Sequence, residues 1–200
     1  DYRRMPIEKE SPEERGYATI KYNLSESSIK DLTLNDALPS DCDLRSLALV
    51  YTVHAGDRGL RDAICALYPE HERPDADDVI VTAGAASALF MLHTSLLQPQ
   101  LHADEAVIMA PNYGTNIEVP KFAMRAQGNV SFVKLNYENK FRATWQDFAK
   151  LVTDKTRLVS LTSPHNPSGV SQGELLRDVV DNVLVPVNNA RSSASNEHAR

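Results

Sequence analysis

The stretch DEAVIMAPNYGTNIEVPKFAMRAQG, residues 104–128, decides the fold because its pattern changes twice. It begins with an uninterrupted apolar run at 106–110, passes through a turn of Pro, Asn and Gly, and continues as a helical stretch. A short continuous apolar run predicts a strand buried on both faces, as in parallel sheets. The stretch therefore predicts one strand–turn–helix unit of an α/β protein.

The same unit recurs on both sides of this stretch. Before it, DDVIVTAG (77–84) predicts a strand that leads through small residues into the apolar helix AASALFMLHTSLL (85–97). After it come a strand in NVSFVKLNY (129–137), a helix in ATWQDFAKLVTD (143–154) and a strand in TRLVSLTSPHNPSG (156–169). Strands that alternate with helices predict a doubly wound, mostly parallel sheet with helices on both faces.

The ends of the chain differ from this regular part. Residues 1–70 are predicted to form an N-terminal arm and a smaller element, in which GLRDAICALYPEH (59–71) is a helix with Leu60, Ile64 and Leu67 on its apolar face. Residues 71–182 are predicted to be an incomplete large α/β domain. The Ser- and Asn-rich segment 183–200 is predicted to be a disordered tail.

Composition excludes several classes of function. The formal charge is -6 and the longest basic run is Arg3–Arg4, which argues against a nucleic-acid or anionic-membrane surface. No apolar stretch approaches the roughly 18 residues of a membrane span, and the polar N-terminus is unlike a signal peptide, so a cytoplasmic protein is expected. Cys42 and Cys65 have no metal-type partners at short spacing, and the six histidines are scattered, so no metal site is expected.

Three predicted turns lie at the carboxyl ends of the strands, where open parallel sheets bind ligands: 82–87, 110–116 and 162–169. TAGAAS offers uncovered backbone N–H groups for a phosphate, although small residues also serve close helix packing. Tyr113 could stack on a planar ring or simply pack over its loop. Asn166, between two prolines, suits a hydrogen bond to a ring substituent. Together the three turns fit a phosphorylated aromatic cofactor, and pyridoxal 5'-phosphate (PLP) meets all three requirements.

The order of these motifs resembles the N-terminal part of the class I/II aminotransferases, the fold-type I PLP enzymes. NPSG (166–169) is similar to the family's Asn-Pro-Thr-Gly motif, and YTVHAGDRGLR (51–61) to its Tyr-x4-Gly-x4-Arg segment. TAGAASAL and PNYGTN are similar to its phosphate turn and its stacking-aromatic turn. The resemblance implies an amino-group transfer from an amino acid to a 2-oxo acid by a homodimer.

The resemblance also implies roles for individual residues. Gly84, Ala85 and Ala86 would bind the cofactor phosphate through their backbone, Tyr113 would stack on the pyridine ring, and Asn166 would hydrogen-bond its phenolic oxygen. Tyr51 would reach the phosphate of the neighbouring subunit. Ala86 stands where the family often has a hydroxyl residue, which would cost about 1 kcal/mol of phosphate binding.

The catalytic lysine that forms the Schiff base with PLP lies later in the family. Two further strand–helix units would take about 60 residues, and only residues 167–200 follow Asn166. None of the lysines matches, so a truncated chain without that lysine is expected, which would bind PLP weakly and non-covalently. A PLP-dependent lyase or synthase on the same scaffold, a non-catalytic fragment that pairs with a full-length relative, and an unrelated α/β nucleotide-binding domain remain alternatives.

Overall fold

The computed structural model describes residues 16, 21–22, 32–98, 104–125 and 128–198. The chain divides into two compact units, Asp1–Tyr51 and Thr52–Arg200. In the first unit a short helix, α1 (Leu34–Ala37), begins at a capping box in which Thr33 and Asp36 bond each other's backbone N–H. A 3-10 turn follows at Leu44–Ser46. The domain boundaries at 70 and 182 stay predictions.

The second unit is built on a parallel sheet. Its three described strands are β1 (Glu105–Ala110), β2 (Asn129–Lys134) and β3 (Thr156–Ser160), in the order β2-β1-β3. Ile108 of β1 lies opposite Phe132 of β2 and Ser160 of β3. The central position of β1 explains its uninterrupted apolar sequence, because helices and neighbouring strands enclose it on every side.

Helices connect and cover these strands. The described α-helices of the second unit are α2 (Arg58–Cys65), α3 (Ala85–Leu96), α4 (Gly114–Met124), α5 (Trp145–Ala149), α6 (Leu175–Val179) and α7 (Val185–His198). A π-helical turn at Val180–Leu184 joins α6 to α7. Short 3-10 turns occur at Glu70–Glu72 and Ala76–Asp78.

Alternate residues of β1 point into two separate cores. Val107 and Met109 lie in a cluster with Phe148 of α5 and Val179 of α6. The other face carries Ala106 and Ile108, which pack with Leu97, Met124 and Leu158. All four β1 residues are completely buried. The structure confirms the predicted α/β fold with a parallel sheet covered on both faces.

Three local predictions were wrong. Residues 79–82 form no strand, because their one described backbone hydrogen bond to a distant segment runs from the Val81 N–H to the Ala55 carbonyl (2.9 Å), and a strand needs a ladder of such bonds. On α2 the buried residues are Arg61 and Cys65, whereas Leu60 is 47% exposed. Arg61 is buried because its guanidinium donates to the carbonyls of Gly56 (3.2 Å) and Ala76 (2.6 Å).

The third incorrect prediction concerns the C-terminal segment, residues 183–200. The composition predicts a disordered tail, but α7 covers Val185–His198. Arg191 donates to the carbonyls of Thr153 (3.3 Å) and Thr156 (3.0 Å) at the start of β3. The helix continues from the buried Val179 and Val183, so packing of the preceding turns outweighs the weak helix propensity of Ser and Asn.

No helix in the described ranges is both long enough and apolar enough to cross a membrane.

The buried His93 side chain of α3 is expected to make the stability of the chain depend on pH. The side chain is buried, no described residue bonds its Nδ1, and burial lowers its pKa from the ordinary value of 6.5. The folded state therefore favours the neutral ring, and the unfolded chain binds more protons below pH 6.5. We expect the free energy of unfolding to fall as the pH drops below this value, and His93→Leu to flatten that slope.

Urea unfolding at about pH 7.5 and about pH 5.5 measures this slope. His71→Leu is the matched control for replacing a histidine by leucine, because the His71 side chain is 79% exposed. An equal slope in the wild type and in His93→Leu would contradict the prediction.

Candidate functional site

The turn after β1 is organised by Asn112. Its Oδ1 accepts from the Tyr113 N–H (2.8 Å) and from Asn116 Nδ2 (2.9 Å), and its Nδ2 donates to the Met109 carbonyl (3.2 Å). Tyr113 is the N-cap residue of α4 and is 50% exposed. The Asn112 amide thus fixes the backbone of a turn that leaves the tyrosine accessible.

The turn after β3 is closed around His165. The His165 N–H donates to the Val170 carbonyl (2.8 Å), and the Gly169 N–H donates to the His165 carbonyl (2.6 Å). Gly169 has φ +70°, the left-handed region that glycine adopts without strain. His165 is buried, whereas Asn166 is exposed and its side chain has no hydrogen-bond partner among the described residues.

Hydrogen bonds join these two turns. Asn112 and Thr162 are bonded twice, through Asn112 Nδ2 to Thr162 Oγ1 (2.9 Å) and through the Thr162 hydroxyl to Asn112 Oδ1 (3.1 Å). The His165 Nε2 lies 2.8 Å from the Pro111 carbonyl oxygen. The structure therefore brings together the turn that carries Tyr113 and the turn that carries Asn166, at the carboxyl ends of β1 and β3.

The third predicted turn opens α3. Gly84 is its N-cap residue with φ +81° and ψ 164°, and no side chain caps the first N–H groups of the helix. Ala85 and Ala86 are exposed, and no heavy atom lies within 4 Å of the position that a Gly84 Cβ would take. Thr82 Oγ1 donates to the Gly84 carbonyl (2.9 Å) and so fixes the turn. The α3 helix packs against α4, which begins after Tyr113.

These features fit the chemistry of PLP. An uncapped helix N-terminus carries partial positive charge and free N–H donors, which suit a phosphate. The accessible Tyr113 ring offers an aromatic face, and the Asn166 amide has donors and an acceptor that are not used elsewhere in the described chain. Tyr51 belongs to the first unit and is fully exposed.

The residues that the sequence prediction missed are those that join the turns: Asn112, Thr162, His165 and Ser168. Asn112 and Thr162 bond each other across 50 positions and His165 bonds Pro111 across 54, whereas Ser168 bonds the ring of His165, three positions away. Of these four residues, only His165 had a signal in the sequence, which is its position next to Asn166. Within the described ranges, no three His, Cys, Asp or Glu side chains lie together in a way that could hold a metal ion.

Comparison with known proteins identifies the fold. The family model for aminotransferase class I and II matches residues 19–183. Methionine aminotransferase from Escherichia coli is 39% identical over 123 residues, which are 59% of this chain and 30% of the relative. Arginine–pyruvate transaminase from Pseudomonas aeruginosa is 38% identical over 118 residues, 58% of this chain and 28% of the relative.

Solved structures agree with these relatives. The E. coli YbdL structure, described as a methionine aminotransferase, has a TM-score of 0.52 and 35% identity over 61% of this chain and 31% of its own. The alanine aminotransferase of Pyrococcus furiosus has a TM-score of 0.60 and 25% identity over 70% of this chain and 34% of its own. The chain thus spans about 30% of the length of the curated relatives it matches. With most of its residues inside the matched region, the chain belongs to the class I and II aminotransferase family.

Proposed function

We propose that this chain provides the phosphate-binding and ring-binding turns of a PLP site in an aminotransferase that transfers an amino group between amino acids and 2-oxo acids. The observation that carries the proposal is the pair of hydrogen-bonded turns after β1 and β3, which hold Tyr113 and Asn166 at one edge of the sheet. PLP, when bound, supplies the electron sink that amino-group transfer requires.

Each residue of the proposed site has a task that its surroundings support. The backbone N–H groups at Ala85 and Ala86 bind the phosphate at the uncapped end of α3. Tyr113 stacks on the pyridine ring, and the Asn166 side chain donates a hydrogen bond to the phenolic oxygen. The first two contacts hold the cofactor in place, and the third orients the ring.

Tyr51 completes the proposed site across a dimer. We place its hydroxyl against the phosphate of the neighbouring subunit, as the motif YTVHAGDRGLR implies by its likeness to the family. The full exposure of the Tyr51 side chain supports this role, because the ring is available to a second chain. The site is then shared by two subunits.

A PLP titration of the purified chain tests the proposal. We expect saturable binding that inorganic phosphate competes with, and about tenfold weaker binding in Tyr113→Ala and in Asn166→Ala, because each loses about one net interaction. Equilibrium dialysis with PLP absorbance gives the affinities. Tyr68→Ala is the matched control, since Tyr68 is 48% exposed and Tyr113 is 50% exposed. Equal affinity in the wild type and the double variant Tyr113→Ala Asn166→Ala would refute the proposed site.

A further inference from the structure

A buried histidine connects the two turns of the proposed site. The His165 ring is 1% exposed, with Nδ1 2.7 Å from Ser168 Oγ and Nε2 2.8 Å from the Pro111 carbonyl oxygen. Phe141 stacks on the ring with 6.5 Å between the ring centroids and 23° between the planes. Both ring nitrogens and one ring face are therefore in contact with fixed groups.

The partners of this ring define which nitrogen carries the proton. The Pro111 carbonyl can only accept, so Nε2 must be the donor in that bond. With the ring proton on Nε2, Nδ1 can only accept, so the Ser168 hydroxyl donates to it, while the Ser168 oxygen accepts from the Val170 N–H (3.3 Å). The bonds run in one direction, from the Val170 N–H through Ser168 and His165 to the Pro111 carbonyl, and they select the Nε2–H tautomer.

The hydrogen bond between His165 Nε2 and the Pro111 carbonyl joins the two turns that carry the proposed ligand-binding residues. His165 immediately precedes Asn166, and Pro111 lies two residues before Tyr113. The side chains of Asn166 and Tyr113 have no hydrogen bond of their own in the described chain, and Asn166 is exposed. Their relative position must therefore come from the backbone of the two turns. The second link, between Asn112 and Thr162, joins the same two turns.

We propose that His165 is a positioning residue which, as the Nε2–H tautomer, sets the distance between Tyr113 and Asn166 by bonding the Pro111 carbonyl. The expected effect on PLP binding rests on the proposed function. The tautomer of His165 and the link between the turns do not, because they are properties of the chain alone. His165 does not touch the cofactor in this assignment, and it acts through the backbone on either side.

The tautomer is tested first, on the wild-type chain without a cofactor, and a variant serves only to assign the signal. Two-bond ¹H–¹⁵N spectra of the wild-type chain at about pH 7.5 distinguish the two ring nitrogens of each histidine. We expect one histidine with a protonated Nε2, an unprotonated Nδ1 and a slowly exchanging ring proton. A protonated Nδ1 at His165 would overturn the proposal. His165→Phe assigns the signal, or His165→Gln if the phenylalanine variant does not fold.

Hydrogen exchange then tests the link between the turns. In His165→Gln and His165→Phe we expect faster exchange of the backbone N–H groups of residues 112–116, which follow Pro111, than in the wild type. Gln can still donate to the Pro111 carbonyl, so its change should be the smaller. His71→Gln, at an exposed position, is the matched control and should change nothing. Unchanged exchange at 112–116 in His165→Phe would overturn the proposal.

PLP affinity separates positioning from general stabilisation. We expect about tenfold weaker binding in His165→Phe and a smaller loss in His165→Gln. In the background Tyr113→Ala Asn166→Ala, His165→Phe should cost almost nothing more, because the groups that it positions are gone. Equal losses in both backgrounds would show a merely structural role and overturn the proposal. If the wild type binds no PLP, the proposed function fails, while the tautomer and the exchange data still decide the role of His165.

Discussion

Replacing Phe148 with alanine is expected to lower the free energy of unfolding of the Thr52–Arg200 unit by about 3–5 kcal/mol. The Phe148 ring is completely buried on one face of the sheet, in the cluster that includes Met109 of β1 and Val179 of α6. Its removal loses the transfer free energy of the ring and leaves a cavity between the sheet and two helices. Domains are typically stable by only about 5–15 kcal/mol, so a large part of the stability depends on this one ring.

Trp145 provides the measurement, because it is the only tryptophan, lies in the same helix and packs against this cluster. Urea unfolding followed by its fluorescence gives the loss of stability. Phe122→Ala is the matched control: Phe122 is 59% exposed on α4, and its truncation should cost less than about 1 kcal/mol. Similar losses in both variants would contradict the assignment of the core.

The central strand β1 was predicted correctly because its pattern is set by burial on both faces. Residues 106–109 are apolar without interruption because helices cover both sides of β1, and the apolar run reports this directly. Residues 79–81 are equally apolar, but Ile80 is 64% exposed and no ladder forms there. An apolar run predicts the capacity to form a strand, whereas the strand itself depends on a neighbour that the local sequence does not reveal.

Contacts between residues far apart in the chain also explain why the sequence predictions for α2 and α7 differ from the structure. The spacing of Leu60 and Ile64 predicted the apolar face of α2, yet Arg61 is buried because the distant Ala76 carbonyl and the nearby Gly56 carbonyl accept from its guanidinium. The Ser- and Asn-rich sequence of α7 predicted disorder, yet Arg191 bonds the start of β3. In both cases an arginine donates to a backbone carbonyl that is more than a dozen residues away, that of Ala76 for Arg61 and that of Thr156 for Arg191, and side-chain periodicity carries no information about such partners.

The candidate site was predictable to the level of its turns. Three local signals predicted these turns: small residues before an apolar helix, an aromatic residue after a strand, and an amide between prolines. They identified Gly84, Tyr113 and Asn166 as candidate site residues. The bonds that hold the last two turns together were not predictable, because Asn112 with Thr162 and His165 with Pro111 are pairs far apart in the chain. The sequence thus indicated which turns carry the candidate ligand-binding residues, and the structure adds the hydrogen bonds that join two of these turns.

Gly84 is the position where a single methyl group is expected to have the largest effect on PLP binding. Its φ of +81° with ψ 164° belongs to a region that is essentially restricted to glycine, and other residues adopt it at a cost of about 1–3 kcal/mol. A Cβ there would meet no heavy atom within 4 Å. The cost of Gly84→Ala is therefore backbone strain rather than a clash, and the turn relieves it by rotating the N–H groups that follow.

We expect Gly84→Ala to weaken PLP binding by at least tenfold, because the N–H groups of Ala85 and Ala86 would no longer converge on the phosphate. Inorganic phosphate should lose affinity in parallel, since the defect lies at the phosphate and not at the ring. Equilibrium dialysis with each ligand measures both losses. Gly173→Ala is the matched control, because Gly173 has φ +59° with no heavy atom within 4 Å of a Cβ and lies outside the three turns. Both variants should lose some stability through strain, whereas only Gly84→Ala should lose affinity. An equal loss of affinity in the two variants would locate the effect in stability and remove the end of α3 from the proposed site.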